Sequence, residues 1–201
     1  CALPIFAIGD RIAVEPLYHC GTCRPCTSGA YNVCSQVAFH GLMAHGGGMS
    51  EVTVIDASMA HRLPDGVTLE QGALVEPMAV AHHAIRRAQP LPGEPAVVFG
   101  AGPIGIGAWF ALRAAGADPI IVVEPSPVRR AAIGALGAEV VLDPTVTDVY
   151  AEVMAMTHGE GAALTIDAAG VPDVALASLG VLRPRGRAVS AAVHMSTVPV
   201  F

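Results

Sequence analysis

The run from Gly100 to Gly105, with the sequence GAGPIG, constrains the fold of this chain more than any other segment. It matches the pattern GxGxxG, and it lies directly after an apolar run and directly before a predicted helix. In this pattern the first glycine allows a tight turn, the second lets the backbone approach a pyrophosphate, and the third allows close helix packing. A strand, a phosphate-binding turn and a helix are therefore predicted in succession. The candidate cofactor-binding residues of the turn are Gly100, Gly102, Pro103, Ile104 and Gly105.

Short apolar runs and helical patterns alternate through the second half of the chain. We predict strands at 96–99, 120–123, 140–142, 164–167 and 187–191, and helices at 103–115 and 127–136. Gly116 and Gly137 follow these two helices, where left-handed caps favour glycine. Alternation of this kind predicts an α/β fold in which a doubly wound parallel sheet carries helices on both faces.

Glu124 ends the second predicted strand, about 20 residues beyond the glycine turn, where an acid can bind both ribose hydroxyls of a dinucleotide. A carboxylate here would repel a 2′-phosphate, so NAD is expected in preference to NADP. Arg129 complicates this expectation, because its guanidinium could reach a phosphate or stack on adenine. The neighbouring Arg130 is expected to be a solvated residue on the helix surface.

Four cysteines in the first part of the chain have the spacing of metal ligands. Cys20, Cys23, Cys26 and Cys34 follow the pattern Cys-x2-Cys-x2-Cys-x7-Cys, and four thiolates can close a tetrahedral structural zinc site with no open position. An iron–sulfur cluster is the nearest chemical alternative, although its usual last gap is shorter than seven residues. A disulfide framework fits less well, because the cysteine count is odd and no secretory signal is present.

A Pro- and Gly-rich segment after residue 88 marks the predicted domain boundary, which gives domains at 1–88 and 89–201. In the first domain we predict strands at 11–15 and 51–55. Thr68 and Gln71 form a capping-box pair at the start of a short helix. Pro77 is expected to be the first residue of the next helix, which runs to Ala88.

Charge and hydropathy exclude two classes of partner. The net charge is -6 at pH 7 and no basic run occurs, so a nucleic-acid partner is not expected. The uncharged stretch 95–112 approaches the length of a membrane span, but its glycines suit a strand, a turn and a buried helix better than a helix in lipid. We therefore expect no membrane segment.

Four segments occur in the same order as in the zinc-dependent medium-chain dehydrogenases. They are the cysteine lobe at 18–36, Gly47-Gly48-Met49-Ser50-Glu51, Leu74-Val75-Glu76-Pro77 and the glycine turn. Over nearly its whole length the chain resembles this family, and most of all its 2,3-butanediol, sorbitol and threonine dehydrogenase branch. The resemblance implies a Rossmann doubly wound sheet that follows part of a GroES-like β domain with a structural-zinc lobe. It also implies a catalytic zinc, NAD, a small alcohol, diol or polyol substrate, a dimer or tetramer, and a cytoplasmic location.

Within this resemblance, Glu76 matches the family's third protein position at the catalytic zinc, which is filled by glutamate in the polyol branch. Residue chemistry alone leaves another interpretation open, namely a carboxylate that stabilises a helix start beside Pro77. Nearby histidines are not assigned to the site. His82 and His83 are expected to be core or packing residues, with a contact to the metal or the cofactor as the alternative. His40 and His45 flank the Gly41 loop and are expected at the surface, with the lining of a substrate pocket as the alternative.

Two segments that the family places upstream are not found in this chain. They are a Cys-Gly-Ser/Thr-Asp segment and a Gly-His-Glu segment, which supply ligands to the catalytic zinc; Cys1, followed by Ala2, does not match the first. The family's last Rossmann strands are not found either. We therefore expect an internal portion of a longer enzyme, truncated at the C-terminal end of its Rossmann domain and inactive alone. The alternative hypothesis is a non-catalytic dinucleotide-binding module stabilised by zinc.

Overall fold

The computed structural model describes residues 6–198, so Cys1 lies outside the described residues. The chain divides into two units, Cys1–Glu76 and Pro77–Phe201. The helix α3, Val75–Ala88, crosses this division, and it contributes Ala81, Ile85 and Ala88 to the core of the second unit. The domain boundary between residues 88 and 89 stays a prediction.

The first unit contains two short antiparallel strand pairs. Its elements are β1 Ile12–Val14, β2 Leu17–Tyr18, α1 Arg24–Thr27, β3 Ala38–Phe39, β4 Ala60–Arg62 and α2 Leu69–Gly72. β1 pairs with β4, and β2 pairs with β3. The strand predicted at 11–15 is therefore confirmed as β1. The strand predicted at 51–55 is wrong, because Val52 and Val54 are mostly exposed and no described strand pairs with that segment.

The helix starts of the first unit follow the local chemistry of the sequence. The Gln71 N–H donates to Thr68 Oγ1 at 3.2 Å, and the Thr68 N–H donates to Gln71 Oε1 at 2.9 Å, which confirms the capping box. α3 begins at Val75, so Pro77 is its third residue and not its first. This correction has a simple cause, since first-turn amides have no intrahelical acceptor and a proline there loses no hydrogen bond.

The second unit is built on a parallel five-stranded sheet. Its strands are β5 Ala96–Phe99, β6 Ile120–Val123, β7 Val140–Leu142, β8 Ala162–Asp167 and β9 Leu182–Ser190, in the order β7-β6-β5-β8-β9. Its remaining helices are α4 Pro103–Ala114, α5 Pro127–Ala135, α6 Val149–Met156 and α7 Pro172–Gly180. All four pairings are parallel, which confirms the predicted doubly wound fold. β8 and β9 begin two and five residues before the predicted starts.

Alternating side chains of the central strands enter two different cores. Ala96 and Val98 of β5 pack with the buried residues of α3 and α4 on one face of the sheet. Val97 and Phe99 pack on the opposite face with residues of α6 and α7. All four are at most 3% exposed, and burial of each larger side chain is worth roughly 1.5–3 kcal/mol. Strands buried on both faces explain why the sequence shows continuous apolar runs here.

No helix in the described part of the chain is long and apolar enough to cross a membrane. The uncharged stretch 95–112 instead forms β5, the glycine turn and most of α4. The predicted strand, turn and buried helix are therefore confirmed for this stretch.

Candidate metal centre and dinucleotide turn

The four cysteines of the first unit come together around one point. Their Sγ atoms all lie within 4.8 Å of one another, and four of the separations are between 3.4 and 4.0 Å. Zinc–sulfur bonds of about 2.3 Å in a regular tetrahedron place sulfurs about 3.8 Å apart. The quartet therefore has the dimensions of a closed tetrathiolate zinc site.

Local backbone structure holds these sulfurs in place. Cys23 precedes α1, Cys26 lies on it, and Cys34 ends a short 3-10 turn. The Cys23 N–H donates to Cys20 Sγ at 3.3 Å, and the Cys20 N–H and the Gln36 N–H donate to Cys34 Sγ at 3.4 and 3.3 Å. Backbone N–H groups directed at sulfur favour the thiolate, as metal ligation requires.

The thiols differ in their affinity for protons. The backbone N–H of Thr22, its hydroxyl group and the N–H of Cys23 lower the pKa of Cys20 to about 5, so this sulfur is a thiolate at neutral pH. Burial, followed by hydrogen bonds with the thiols of Cys23 and Cys34, raises the pKa of Cys26 to about 12. A bound cation would offset the negative charge of the thiolates that this cluster brings together.

The glycine turn links β5 to α4 at the carboxyl edge of the sheet. Gly100 has φ +100°, and its N–H donates to the Val123 carbonyl at 2.8 Å. A Cβ at Gly105 would lie 1.9 Å from the Gly100 carbonyl oxygen, so only glycine fits this contact. Gly102, the residue before α4, has open space where a Cβ would stand. The first-turn amides of α4 are thus available to an anionic group, as a pyrophosphate site needs.

Glu124 follows β6 directly, and its carboxylate faces the glycine turn. The side chain is only 3% exposed; Oε2 accepts the Ala101 N–H at 2.7 Å and Oε1 accepts the Ser126 N–H at 2.8 Å. Arg129 Nη1 lies 3.9 Å from Oε2, and the Arg129 side chain is 61% exposed. The acid therefore lies beside the glycine turn and is hydrogen-bonded to it, while its predicted contact with ribose hydroxyls stays a prediction.

Arg130 is not the solvated surface residue that we expect from the sequence. Its side chain is 22% exposed, and Nη1 donates to the carbonyl oxygens of Glu124 and Pro125 at 2.9 and 2.6 Å. Its Nη2 also lies 2.7 Å from Asp143 Oδ2. Arg130 thus stabilises the loop that follows Glu124. Neighbouring residues of a helix point in different directions, so Arg130 faces this loop while Arg129 is exposed.

Glu76 lies in the first turn of α3 and is exposed. It lines a cavity of about 250 Å³ together with residues of β1 and α2: Ile12, Ala13, Val14, Leu69, Gly72 and Ala73. Among residues 6–198 the cysteine quartet is the one group of three or more metal-ligating side chains brought together. The assignment of Glu76 to a catalytic zinc therefore stays a prediction.

The histidines depart from the sequence-based expectations. His82 and His83 are exposed on α3, so their predicted core packing is wrong. His40 lies at 2.7 Å from the Tyr18 hydroxyl through Nδ1 and at 2.8 Å from Thr53 Oγ1 through Nε2. His40 Nε2 also accepts the Gly47 N–H at 3.0 Å. His40 therefore stabilises the glycine-rich loop, a role that the sequence does not predict.

The carboxyl edge of the sheet also carries a polar pair that the sequence does not predict. Asp167, the last residue of β8, is 2% exposed, and its Oδ2 lies 2.8 Å from His194 Nε2 in the segment after β9. A polar residue at the carboxyl end of a buried parallel strand is typical of a ligand-binding site, so the position of Asp167 in the sequence indicates such a site. The histidine partner is 27 positions further along, and no local pattern connects the two.

The chain matches known families in both of its units. Residues 3–65 match the family described as the alcohol dehydrogenase GroES-like domain, and residues 103–201 match the family described as zinc-binding dehydrogenase. Together these matches cover most of the chain.

Individual relatives agree with these matches. The chain is 44% identical over 170 residues to the (R,R)-butanediol dehydrogenase of Bacillus subtilis, covering 84% of this chain and 47% of that protein. It is 35% identical over 189 residues to a probable D-xylulose reductase A of Aspergillus clavatus, covering 92% and 53%. The chain thus spans about half the length of these relatives.

A solved structure has the same fold. An alcohol dehydrogenase of Escherichia coli CFT073 in complex with NADH superposes with a TM-score of 0.83 and 31% sequence identity, covering 90% of this chain and 53% of that one. The similarity extends over both units of the chain.

Proposed function

This chain belongs to the zinc-dependent medium-chain dehydrogenase family, in its butanediol branch, and on that premise we propose that its protein transfers a hydride between a secondary alcohol, diol or polyol and NAD. The observation that carries the proposal is the glycine turn joined to a buried acid. The Ala101 N–H donates to Glu124 Oε2 at 2.7 Å, and this contact at the carboxyl edge of the sheet supports a site in which the turn and the acid bind one dinucleotide.

NAD is the proposed form of the dinucleotide. Glu124 carries a buried negative charge where an adenosine ribose would lie, and such a charge disfavours a 2′-phosphate. Arg130 is already engaged by Asp143 and by two carbonyl groups, so Arg129 is the nearby cation left for adenine or a phosphate. Its contact with Glu124 at 3.9 Å offsets part of its charge and favours the NAD assignment.

Two zinc ions are proposed, with different roles. Cys20, Cys23, Cys26 and Cys34 would hold a structural zinc, since their tetrahedron closes and offers no position for a substrate. Glu76 would contribute to a second, catalytic zinc. The cavity beside Glu76 supports this role, because it holds one charged side chain among mainly apolar neighbours.

When bound, zinc supplies Lewis-acid stabilisation of the substrate oxygen, and NAD supplies the hydride acceptor. The chain's own residues bind and orient. The first turn of α4 would hold the pyrophosphate, Glu124 would accept hydrogen bonds from the ribose hydroxyls, and the carboxylate of Glu76 would be one ligand of the catalytic zinc. A polar substrate of a few carbons suits the cavity volume of about 250 Å³.

The relatives are named as a dehydrogenase and a reductase, and this supports an enzyme over the alternative of a non-catalytic module. A dimer or tetramer and a cytoplasmic location remain predictions from the family resemblance.

The proposal is tested on the purified protein by zinc analysis, NADH binding and NAD reduction with 2,3-butanediol, sorbitol and ethanol. We expect the protein to bind NADH and to hold one zinc through its cysteines. Protein that also holds a second zinc should reduce NAD in the presence of a diol or polyol. Glu76→Gln should abolish that second zinc and the reduction while it leaves the first zinc and NADH binding unchanged. NADH binding and two zinc ions without turnover of any alcohol would contradict the proposed activity.

A further inference from the structure

Asp167 connects three segments of the second unit. Its Oδ1 accepts the Ala169 and Gly170 N–H groups at 2.9 and 3.1 Å, which fixes the loop after β8. Its carbonyl oxygen accepts the Ala191 and Ala192 N–H groups at 2.9 and 3.1 Å, which fixes the segment after β9. A buried carboxylate at the end of a central strand thus sets the course of two neighbouring loops.

His194 adds a side-chain contact to this junction. Its Nε2 lies 2.8 Å from Asp167 Oδ2, and its side chain is 17% exposed. The separation is that of an ion pair, yet neither Asp167 Oδ2 nor His194 Nδ1 has a directed hydrogen bond to a described residue. Both atoms are buried, and buried polar atoms with unused hydrogen-bonding capacity point to a group that the protein alone does not provide.

The junction lies beside the glycine turn. A Cβ at Gly100 would lie 3.3 Å from the backbone of Ala168, so the loop after β8 is in contact with the turn that ends β5. A Cβ at Gly170 would lie 2.9 Å from the Val193 carbonyl oxygen, so the next loop along the sheet is in contact as well. β5 and β8 are neighbours at which the strand order reverses, and ligands of such sheets bind in the crevice there.

The two halves of the sheet serve the two halves of a dinucleotide. The half that contains β5, β6 and β7 carries the glycine turn and Glu124, which leaves β8 and β9 for the second mononucleotide. We propose that Asp167 and His194 are positioning residues that preform the nicotinamide half of the site. The inference rests on the proposed dinucleotide binding.

The test compares two ligands that differ by the nicotinamide group. NADH and ADP-ribose are titrated by calorimetry against the full chain and its His194→Ala variant. Loss of one charge-assisted contact should weaken NADH binding about tenfold and leave ADP-ribose within about twofold. His194→Gln, which keeps a side-chain N–H donor of similar reach, should restore most of the NADH affinity.

His158→Asn is the matched control. His158 is an exposed histidine with φ +56°, a conformation that asparagine accepts, and it lies before the start of β8 at the opposite edge of the sheet. It should bind both ligands as the wild type does. Equal loss of NADH and ADP-ribose in His194→Ala, or no loss of either, would overturn the positioning role while dinucleotide binding stands. A wild-type chain that binds neither ligand would overturn both proposals.

Discussion

The Glu124 carboxylate accepts a 2.7 Å hydrogen bond from the Ala101 N–H, and this contact ties the end of β6 to the middle of the glycine turn. Its other oxygen accepts the Ser126 N–H at 2.8 Å. A single buried side chain thus connects the glycine turn to the loop after β6, which are the proposed places of the pyrophosphate and the ribose. Two carboxylate oxygens and two backbone donors leave the remaining lone pairs for a ligand.

Glu124→Gln should therefore weaken NADH binding. The amide presents a donor to one of the two backbone N–H groups, and loss of a charged hydrogen bond corresponds to about a tenfold change in affinity. Affinity for NADPH should fall less, because the variant no longer repels a 2′-phosphate. Fluorescence titration with both nucleotides measures the ratio of the NADH affinity to the NADPH affinity.

Glu139→Gln is the control for that substitution, since Glu139 is an exposed glutamate before β7 and makes the same change of charge. Its affinities should equal those of the wild type. A Glu124→Gln chain with an unchanged ratio of NADH to NADPH affinity would remove the basis of the NAD assignment.

The turn itself should not tolerate a methyl group at Gly105. A Cβ there meets the Gly100 carbonyl oxygen at 1.9 Å and its carbonyl carbon at 2.8 Å, so the backbone of the turn must move. We expect Gly105→Ala to lower the free energy of unfolding by about 1–3 kcal/mol and to abolish NADH binding. Urea denaturation, followed by circular dichroism, measures the first effect.

Gly134→Ala provides the contrast. Gly134 lies within α5, and a Cβ there meets nothing within 4 Å. Replacing a helical glycine by alanine raises the free energy of unfolding by roughly 0.5–1 kcal/mol, because alanine restricts the unfolded chain. Destabilisation of this variant to the extent seen in Gly105→Ala would mean that the steric account is wrong.

Local chemistry explains which parts of the structure the sequence predicts. β5, β6 and β7 coincide with their predicted bounds because their apolar runs are short and end at glycine or a charged residue. β5 and β6 lie inside the sheet and are buried, whereas β7 lies at its edge and is half-buried. β9 begins five residues before its predicted start, because its first part, 182–186, holds two arginines, a proline and a glycine and shows no apolar run, yet lies on the edge strand of the sheet. Position in the sheet, and not local propensity, makes those residues a strand.

Long-range contacts account for what the sequence does not predict. The cysteine quartet and the glycine turn are local patterns; the structure brings the four sulfurs together and joins β5 to α4 through the turn, while their ligands stay predictions. The Asp167–His194 pair and the hydrogen bonds of His40 join residues that lie far apart in the sequence, so no periodicity reveals them. The segment 51–55 has the alternation of a strand but no described strand beside it. A pattern alone does not supply the partner strand.

Removal of one thiol should release the zinc of the quartet. Cys23→Ser replaces a soft ligand by a hydroxyl, and three thiolates no longer close the tetrahedron. We expect the loss of one zinc per chain and a lower melting temperature of the first unit, with NADH binding by the second unit unchanged. Ser35→Ala is the control, because the backbone N–H groups of Cys26 and Ser35, which lower the pKa of Cys23, are both retained in this variant. Full zinc content in Cys23→Ser would contradict the tetrathiolate assignment.

Glu94 should make the stability of the second unit depend on pH. Burial raises the pKa of Glu94, but the Leu91 N–H and the Arg187 guanidinium, followed by the charge of Arg183, outweigh it, so the pKa lies below the usual 4.5. A carboxyl with a lowered pKa in the folded state stabilises the fold above the unfolded value and loses that contribution as the pH falls through the folded one. The loss should therefore begin near pH 4.5 and continue below it.

Glu94→Gln tests this dependence directly. Arg183 Nη2 lies 2.8 Å from Glu94 Oε1 and Arg187 contacts Oε2, so the variant leaves two partly exposed guanidinium groups without their anion. We expect a loss of about 1 kcal/mol near neutral pH, because solvent screens a pair of this exposure. At a pH below the pKa of Glu94 in the folded state, the wild type and the variant should have the same free energy of unfolding. The wild-type Glu94 is then neutral, as the glutamine of the variant is at every pH. Glu160→Gln, at an exposed turn before β8, should follow the wild-type profile. Equal stability of Glu94→Gln and the wild type near neutral pH would show that the two arginines do not depend on Glu94.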